Sequence, residues 1–141
     1  MKQSDLCIEI RSNPPLLASV REAVRAYFRS AGVSPEHTED VVLAVDEACT
    51  NAIRHSYQGR HDQIIRLSLG QTRAYIEVVL EDSGAPAPES CRKRIRFHTP
   101  RRETVSPGGL GLGLIYAAFD KVEYCPGKPT GNCVTMRLRR P

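Results

Sequence analysis

The longest periodic segment of the chain, about residues 34–57, places the strongest constraint on the fold. Ser34 is a typical helix cap and Pro35 suits the first helical position, so a helix is predicted from here to about Tyr57. Apolar residues recur in it at helical spacing: Val41, Val45, Ala48 and Ala52, with Val42, Cys49 and Ile53 beside them. One side of this helix therefore has to be buried against other elements.

A row of polar residues runs along the same helix. Glu47, Asn51 and His55 are each four residues apart, which predicts that they share one face. Such a row is typical of a helix edge that lines a cavity, and equally of an ordinary surface helix. We interpret His55 as a packing or supporting residue of this row.

The rest of the chain shows shorter patterns. A first helix is expected between Asn13 and Gly32, and a short third one over Leu114–Phe119. Five strands are predicted: Leu6–Ile10, Gln63–Leu69, Ala74–Glu81, Lys121–Cys125 and Cys133–Arg139. This order favours one α/β (α+β) domain over residues 1–141, a two-layer sandwich. Its sheet would be mixed and mostly antiparallel, with three helices on one face.

Between Ser83 and Pro107 the periodicity is lost among prolines and charges. Segments of this length inside a compact domain are usually functional lids or disordered, so a lid is predicted at about residues 84–107. Six of the twenty basic residues lie here: Arg92, Lys93, Arg94, Arg96, Arg101 and Arg102. Such a cluster attracts phosphates, although a solvated loop without a specific partner explains it equally well.

Cysteine usage and the first residues bear on the compartment. Five cysteines at wide spacings, without a CxxC pair, fit neither a disulfide framework nor a zinc site, so reduced thiols are expected. The N-terminus lacks the apolar stretch of a signal peptide, and no apolar run is long enough to span a bilayer. We therefore expect a cytoplasmic protein without a membrane partner.

Three local motifs follow one another along the chain: Asp46-Glu47-Ala48-Cys49-Thr50-Asn51-Ala52, Glu81-Asp82-Ser83-Gly84 and Gly108-Gly109-Leu110-Gly111-Leu112-Gly113. Each is common by itself. An Asp-x-Gly after a strand is often only a turn, and a glycine-rich segment before a helix can bind phosphate or act as a hinge. Together and in this order they are specific.

The three motifs resemble the Bergerat-type ATP-binding fold shared by gyrase, histidine kinases and heat-shock chaperones. The Glu-Ala-Cys-Thr-Asn-Ala string and the short chain are most similar to the anti-sigma factor serine kinases. The resemblance implies a kinase that binds ATP and Mg²⁺, sequesters a sigma factor and phosphorylates a serine of a small anti-anti-sigma antagonist. Relatives that bind sigma factors often act as dimers, which makes a homodimer an expectation here.

The resemblance also implies roles for individual residues. Glu47 would be the general base, and Asn51 would ligate Mg²⁺. Asp82 would accept the amino group of adenine, and Gly84 would let the chain approach the base. Backbone groups from Gly109, Leu110, Gly111, Leu112 and Gly113 would surround the phosphates.

Two positions depart from the family pattern. Ser106-Pro107 stand where a basic residue often precedes the glycine loop, leaving Arg101 and Arg102 as the nearest candidates. The last strand of relatives usually carries a threonine soon after its glycine. Here Asn132 and Cys133 follow Gly131, and Thr135 is assigned to the adenine instead.

These departures keep other functions open. A nucleotide-loaded module that captures partners with little or no phosphate transfer is the main alternative to the kinase. The catalytic domain of a histidine kinase is a third reading, weakened by the lack of a dimerising helix pair. A nucleic-acid binder comes last, because Phe97 is the only aromatic residue within the basic cluster.

Overall fold

The computed structural model describes residues 3–85, 112–124 and 131–141. A 3₁₀ turn at Pro14–Leu16 precedes α1, and a π-helical turn at Ala52–Ser56 continues α2. The regular elements in chain order are β1 Leu6–Arg11, α1 Leu17–Ser30, α2 Pro35–Asn51, β2 Ile64–Gln71, β3 Tyr75–Asp82, α3 Leu112–Ala118, β4 Lys121–Tyr124 and β5 Asn132–Arg139.

The five strands form one sheet in the order β1-β2-β3-β5-β4, and each of the described pairings is antiparallel. β5 lies between β3 and β4, so the chain returns to the centre of the sheet at its end. This register places Asp82 at the end of β3 directly opposite Asn132 at the start of β5. The predicted α/β fold with five strands and three helices is confirmed, whereas the sheet is antiparallel at every described pairing and not mixed as expected.

One face of the sheet and the inner sides of the helices form the core. Every member of the apolar stripe predicted on α2 is buried, from Val41 to Ile53. It meets alternate residues of the central strands, such as Leu67, Val78 and Met136. The core confirms that the hydrophobic period of each element, near 3.6 in helices and 2 in strands, set which side is buried.

Ion pairs join α1 to α2 at the surface. Arg21 contacts Asp46 at 2.8 Å, and Arg25 donates to both carboxylate oxygens of Glu39, at 2.8 and 3.0 Å. The Arg25 guanidinium lowers the pKa of Glu39. Exposed pairs of this kind contribute little stability, and they lie on the side of α2 that faces α1. Glu47 follows Asp46 and so lies about 100° further round the helix.

The expectations for the cysteines, the lid, the single domain and membrane-spanning helices differ in outcome. Cys133 is disulfide-bonded, so the prediction of five reduced thiols is wrong, whereas Cys7 and Cys49 are free. The lid predicted at about 84–107 lies outside the described residues from position 86 onward, and it stays a prediction, as does the single domain over 1–141. None of the helices in the described ranges combines the length and hydropathy needed to cross a bilayer.

The contact between α1 and the end of α3 generates a stability prediction. Phe28 is fully buried and meets the Phe119 ring edge-on, with centroids 6.4 Å apart. Phe28→Ala should lower the free energy of unfolding by about 3–5 kcal/mol in urea titrations, because it leaves a cavity. The control Leu43→Ala removes a side chain that is 42% exposed and should cost within about 0.5 kcal/mol. Equal costs for the two variants would contradict this description of the core.

Candidate functional site

The carboxylate of Asp82 is the centre of the candidate site. Asp82 ends β3 and is only 8% exposed. Its Oδ1 atom accepts hydrogen bonds from the backbone N–H of Gly84 at 2.9 Å and from Nδ2 of Asn132 at 3.0 Å. Within the described residues both of these bonds end on Oδ1. The arrangement holds the carboxylate in one orientation and leaves Oδ2 as the oxygen for a ligand.

Asn132 connects Asp82 to two further segments. Its Nδ2 atom also lies 3.0 Å from Oγ of Ser56 and 2.7 Å from the carbonyl oxygen of Ala85. The backbone N–H of Ala85 in turn donates to the carbonyl of Ser56 at 2.7 Å. The end of α2, the end of β3 and the start of β5 are therefore joined by polar contacts at one point.

The π-helical turn determines which side chain of the polar row reaches this point. The N–H of Tyr57 donates to the carbonyl of Ala52, five residues earlier, at 3.0 Å. The wider turn brings Ser56 to Asn132, whereas His55 is exposed. The expectation that His55 packs in the row is wrong, because four-residue spacing holds only while the helix is α-helical.

The hydroxyl of Tyr57 also holds the turn after Asp82 in place. Its hydroxyl donates to the carbonyl of Ile64 and accepts from the N–H of Ser83 at 2.8 Å. Burial raises the pKa of this phenol, so it stays neutral and keeps its proton to donate. Nothing in the sequence motifs indicated Tyr57 or Ser56.

Two glycines allow these segments to approach. A Cβ atom on Gly84 would lie 2.2 Å from the carbonyl oxygen of Ser56, and one on Gly131 would lie 2.1 Å from that of Asp82. Gly131 also has a φ of +80°, which side chains disfavour. Gly84 was predicted to allow approach to a base, which stays a prediction, and the structure shows that it allows close approach to Ser56 in the π-helical turn.

The profile of the histidine kinase-like ATPase domain matches residues 10–138 of this chain. The chain belongs to the histidine kinase-like ATPase family. This confirms the superfamily inferred from the three motifs, and membership of an ATPase family implies that the domain binds ATP.

Named relatives of this ATPase domain agree with the narrower resemblance. The chain is 28% identical to the serine-protein kinase RsbW of Bacillus velezensis, over 82% of this chain and 74% of the relative. It is 28% identical to the serine-protein kinase RsbW of Bacillus pumilus, covering 94% and 85%. It is 25% identical to the anti-sigma F factor of Clostridium beijerinckii, covering 99% and 96%.

Four other predicted residues of this histidine kinase-like ATPase domain lie on two helices. Glu47 and Asn51 are half-buried on the last two turns of α2, immediately before the π-helical turn. Leu112 and Gly113 begin α3. Gly109, Leu110 and Gly111 lie outside the described residues, so their predicted contacts to phosphate stay predictions.

The structure does not bring Thr135 to Asp82. Thr135 pairs with Val79 on the opposite face of the sheet, where it borders a groove of about 280 Å³ with Ser68, Glu77 and Arg137. Because successive side chains of a strand alternate, residues three apart point to opposite faces. The β5 residue beside Asp82 is Asn132, which directly follows Gly131, whereas the family pattern led to the prediction of Thr135.

This geometry generates a contrast between two variants. Gly84→Ala should weaken ATP binding at least about tenfold, since the new Cβ meets the backbone of Ser56 and has to displace Asp82 or α2. Thr135→Val keeps shape on the far face and should leave ATP affinity within about twofold. Calorimetric titration measures both affinities, and thermal unfolding checks that each variant is folded. A larger loss for Thr135→Val than for Gly84→Ala would contradict this description of the site.

Proposed function

We propose that this domain is an ATP-dependent protein serine/threonine kinase that acts as an anti-sigma factor. It binds Mg-ATP, sequesters a sigma factor and phosphorylates a serine of a small anti-anti-sigma protein. Relatives named as serine-protein kinases and as an anti-sigma F factor support this proposal. The observation that carries it is the buried Asp82 carboxylate, held by Gly84 and Asn132 in an ATPase-family chain.

Asp82 selects adenine in this proposal. An ionised carboxylate only accepts hydrogen bonds, and Oδ2 receives one from the 6-amino group of adenine. Guanine carries an oxygen at the corresponding position, so two hydrogen-bond acceptors would face each other in a partly buried site. Leaving both acceptors without a donor costs free energy, because water cannot replace the missing hydrogen bond there.

Asn51 is proposed as the protein ligand of Mg²⁺, with its side-chain carbonyl. Within the described ranges no group of three or more His, Cys, Asp or Glu residues forms a metal cluster. A single side-chain carbonyl oxygen suits Mg²⁺, because this ion takes one or two protein oxygens and completes its shell with phosphates and waters. When bound, the ion neutralises phosphate charge. Backbone groups of Gly109, Leu110, Gly111, Leu112 and Gly113 are proposed to hold the phosphate oxygens.

Glu47 is the proposed general base, one turn before Asn51 on α2. Its carboxylate accepts the proton of the substrate serine as that hydroxyl oxygen bonds to the γ-phosphorus. The bond from phosphorus to the bridging oxygen of ADP breaks in the same transfer. Most of the rate enhancement in such reactions comes from positioning and charge neutralisation, which suits a base carried on a packed helix.

The partners follow from this function. The sigma factor and the antagonist are proteins, and direct binding of nucleic acid or membrane is not part of the proposal. A homodimer and a cytoplasmic location are proposed with them. One sequence observation favours a second function, a nucleotide-loaded binding module with little turnover: Ser106-Pro107 replace the basic residue expected before the glycine loop.

The first functional prediction concerns base selectivity. Wild-type protein should bind ATP at least about tenfold more tightly than GTP, a difference of about 1.4 kcal/mol. Asp82→Asn should weaken ATP binding, because the asparagine amide can place an N–H donor opposite the 6-amino group of adenine, which is also a donor. The control Asp62→Asn changes an exposed aspartate and should have no effect. Calorimetric titration with both nucleotides measures this, and equal affinities for ATP and GTP would refute the adenine assignment.

The second functional prediction separates binding from turnover. Glu47→Gln should leave ATP affinity within a few-fold and lower phosphate transfer by about a hundredfold or more, since it removes only the proton acceptor. Asn51→Ala should lower both quantities, because it removes the metal ligand. The control Glu36→Gln lies exposed in the first turn of α2 and should change neither.

Transfer of labelled γ-phosphate to the antagonist protein, run beside ATP titration, measures both quantities. Transfer at the wild-type rate by Glu47→Gln would show that Glu47 is not the base. Wild-type protein that binds ATP and captures a sigma factor, yet transfers no phosphate to any antagonist, would replace the kinase with the binding module.

A further inference from the structure

One cysteine close to the proposed nucleotide site, Cys133 at the second position of β5, carries a disulfide bond. Cys7 and Cys49 are free, so the bond joins Cys133 to one of the other two cysteines of the chain, Cys91 or Cys125. Both candidates lie outside the described residues. The choice between them therefore depends on what the described strands imply.

The register between β4 and β5 favours Cys125. Tyr124, the last residue of β4, is directly opposite Val134 in this antiparallel pair. Continuing the ladder by one residue would pair Cys125 with Cys133. Residues directly opposite each other in such a ladder have Cα atoms about 4.5–5.5 Å apart, which is inside the range of about 4.4–6.8 Å that a disulfide spans.

The direction of the side chains supports the same pairing. Val122 belongs to the core and Tyr124 packs against it, so the alternation of β4 assigns the next position to the sheet face away from the helices. Val134 is also a core residue, and its neighbour Cys133 therefore points to that same outer face. Position along the ladder and side-chain direction thus agree on Cys125, and neither requirement singles out Cys91.

We propose that Cys125 and Cys133 form a reversible cross-strand disulfide, and that this redox modification site controls the affinity of the domain for ATP. The bond closes a loop over residues 126–132. It is made and broken by exchange with small cellular thiols of the glutathione class. The effect on ATP rests on the proposed function, whereas the pairing of the two cysteines does not.

Reversibility follows from the proposed cytoplasmic location. Small thiols keep most cysteines reduced there, and the disulfides that do form are usually transient or redox-sensing. Cys7 is exposed and free, which does not fit a chain whose cysteines pair to stabilise a secreted fold. Burial raises the pKa of the Cys49 thiol to about 12, so this thiol stays protonated and does not compete in the exchange.

Reduction takes two exchange steps. The thiolate of one glutathione attacks a sulfur of the disulfide, the S–S bond breaks, and the second cysteine leaves as a thiolate and takes up a proton. Another glutathione thiolate then attacks the glutathione sulfur of the mixed disulfide and releases the first cysteine, which is also protonated. Two electrons pass from two glutathione molecules to the protein, and glutathione disulfide leaves. The reverse steps restore the bond.

The start of β5 connects this bond to the nucleotide site. Because β5 lies between β3 and β4, Cys133 is opposite Glu81 on its other side. Two residues earlier, a Cβ on Gly131 would lie 2.1 Å from the carbonyl oxygen of Asp82. The disulfide restricts this segment to one arrangement beside Asp82. Once it is reduced, further arrangements are populated, and the apparent ATP affinity falls with the fraction that is competent to bind.

Peptide mapping without a reductant identifies the partner. Trypsin does not cut between Lys128 and Pro129, so residues 122–137 form one peptide that contains both Cys125 and Cys133. The proposal expects this peptide to be lighter by two hydrogens than its reduced form. A product in which residues 122–137 are linked to residues 74–92 would identify Cys91 as the partner and overturn the pairing.

The redox dependence is measured on wild type and two variants, in reduced glutathione and in glutathione disulfide. Reduction should lower the melting temperature of wild type by about 5–10 °C, and the disulfide form of glutathione should restore it. Calorimetric titration should show ATP binding weakened about threefold or more on reduction. Cys125→Ser should resemble reduced wild type in both buffers. The control Cys7→Ser removes an exposed free thiol and should respond as wild type does.

The outcomes separate this inference from the proposed function. A response of Cys125→Ser to glutathione as large as that of wild type would overturn the pairing. Equal ATP affinities of oxidised and reduced wild type would overturn the control of ATP binding, while the binding itself leaves the proposed function standing. A reversible change in melting temperature in a protein that binds ATP in neither buffer would support the cysteine pair and overturn the proposed function.

Discussion

The hydrogen bond from the Asn132 amide to Oδ1 of Asp82 joins the ends of two neighbouring strands at the place where α2 ends. The site exists because three segments far apart in the chain meet there, and at two glycines their backbones approach too closely for a side chain. In the part of the chain that the structure describes, Gly84 and Gly131 are positions at which a Cβ would collide with backbone. A small number of close backbone approaches thus fixes a buried carboxylate at the edge of the core.

The packing of α2 places the remaining chemistry relative to that carboxylate. Its apolar stripe is buried in the core and Asp46 contacts α1, so the rotation of the helix is determined on two sides. Glu47 and Asn51 are left at a half-buried edge, on a helix whose end is attached to Asp82 through Ser56 and Asn132. The proposed base and the proposed metal ligand, carried on such an element, keep their geometry without relying on a loop.

The two carboxylates of the proposed site differ in their surroundings, which suits them to different proposed roles. Asp82 is buried, accepts hydrogen bonds and has one oxygen committed, which suits recognition of a base. Glu47 is half-buried on α2 and is the proposed base for a substrate hydroxyl. The family assignment and the names of the relatives agree with ATP-dependent protein phosphorylation. The contacts around Asp82 supply the physical basis for the proposed choice of adenine.

The sequence by itself determined the strands to within about two residues, the buried stripe of α2 and the Asp82–Gly84 turn. Each of these depends on the spacing of apolar residues or on turn-forming residues that are close together in the chain. Tertiary structure decided that Ser56 and not His55 reaches the site, since one π-helical turn shifts every later side chain. It likewise decided that Asn132, and not Thr135, lies beside Asp82, because the register between β5 and β3 sets which β5 residue is opposite Asp82. Periodicity is set between neighbours in the chain, whereas the meeting of distant segments depends on hydrogen bonds and close contacts that no local pattern contains.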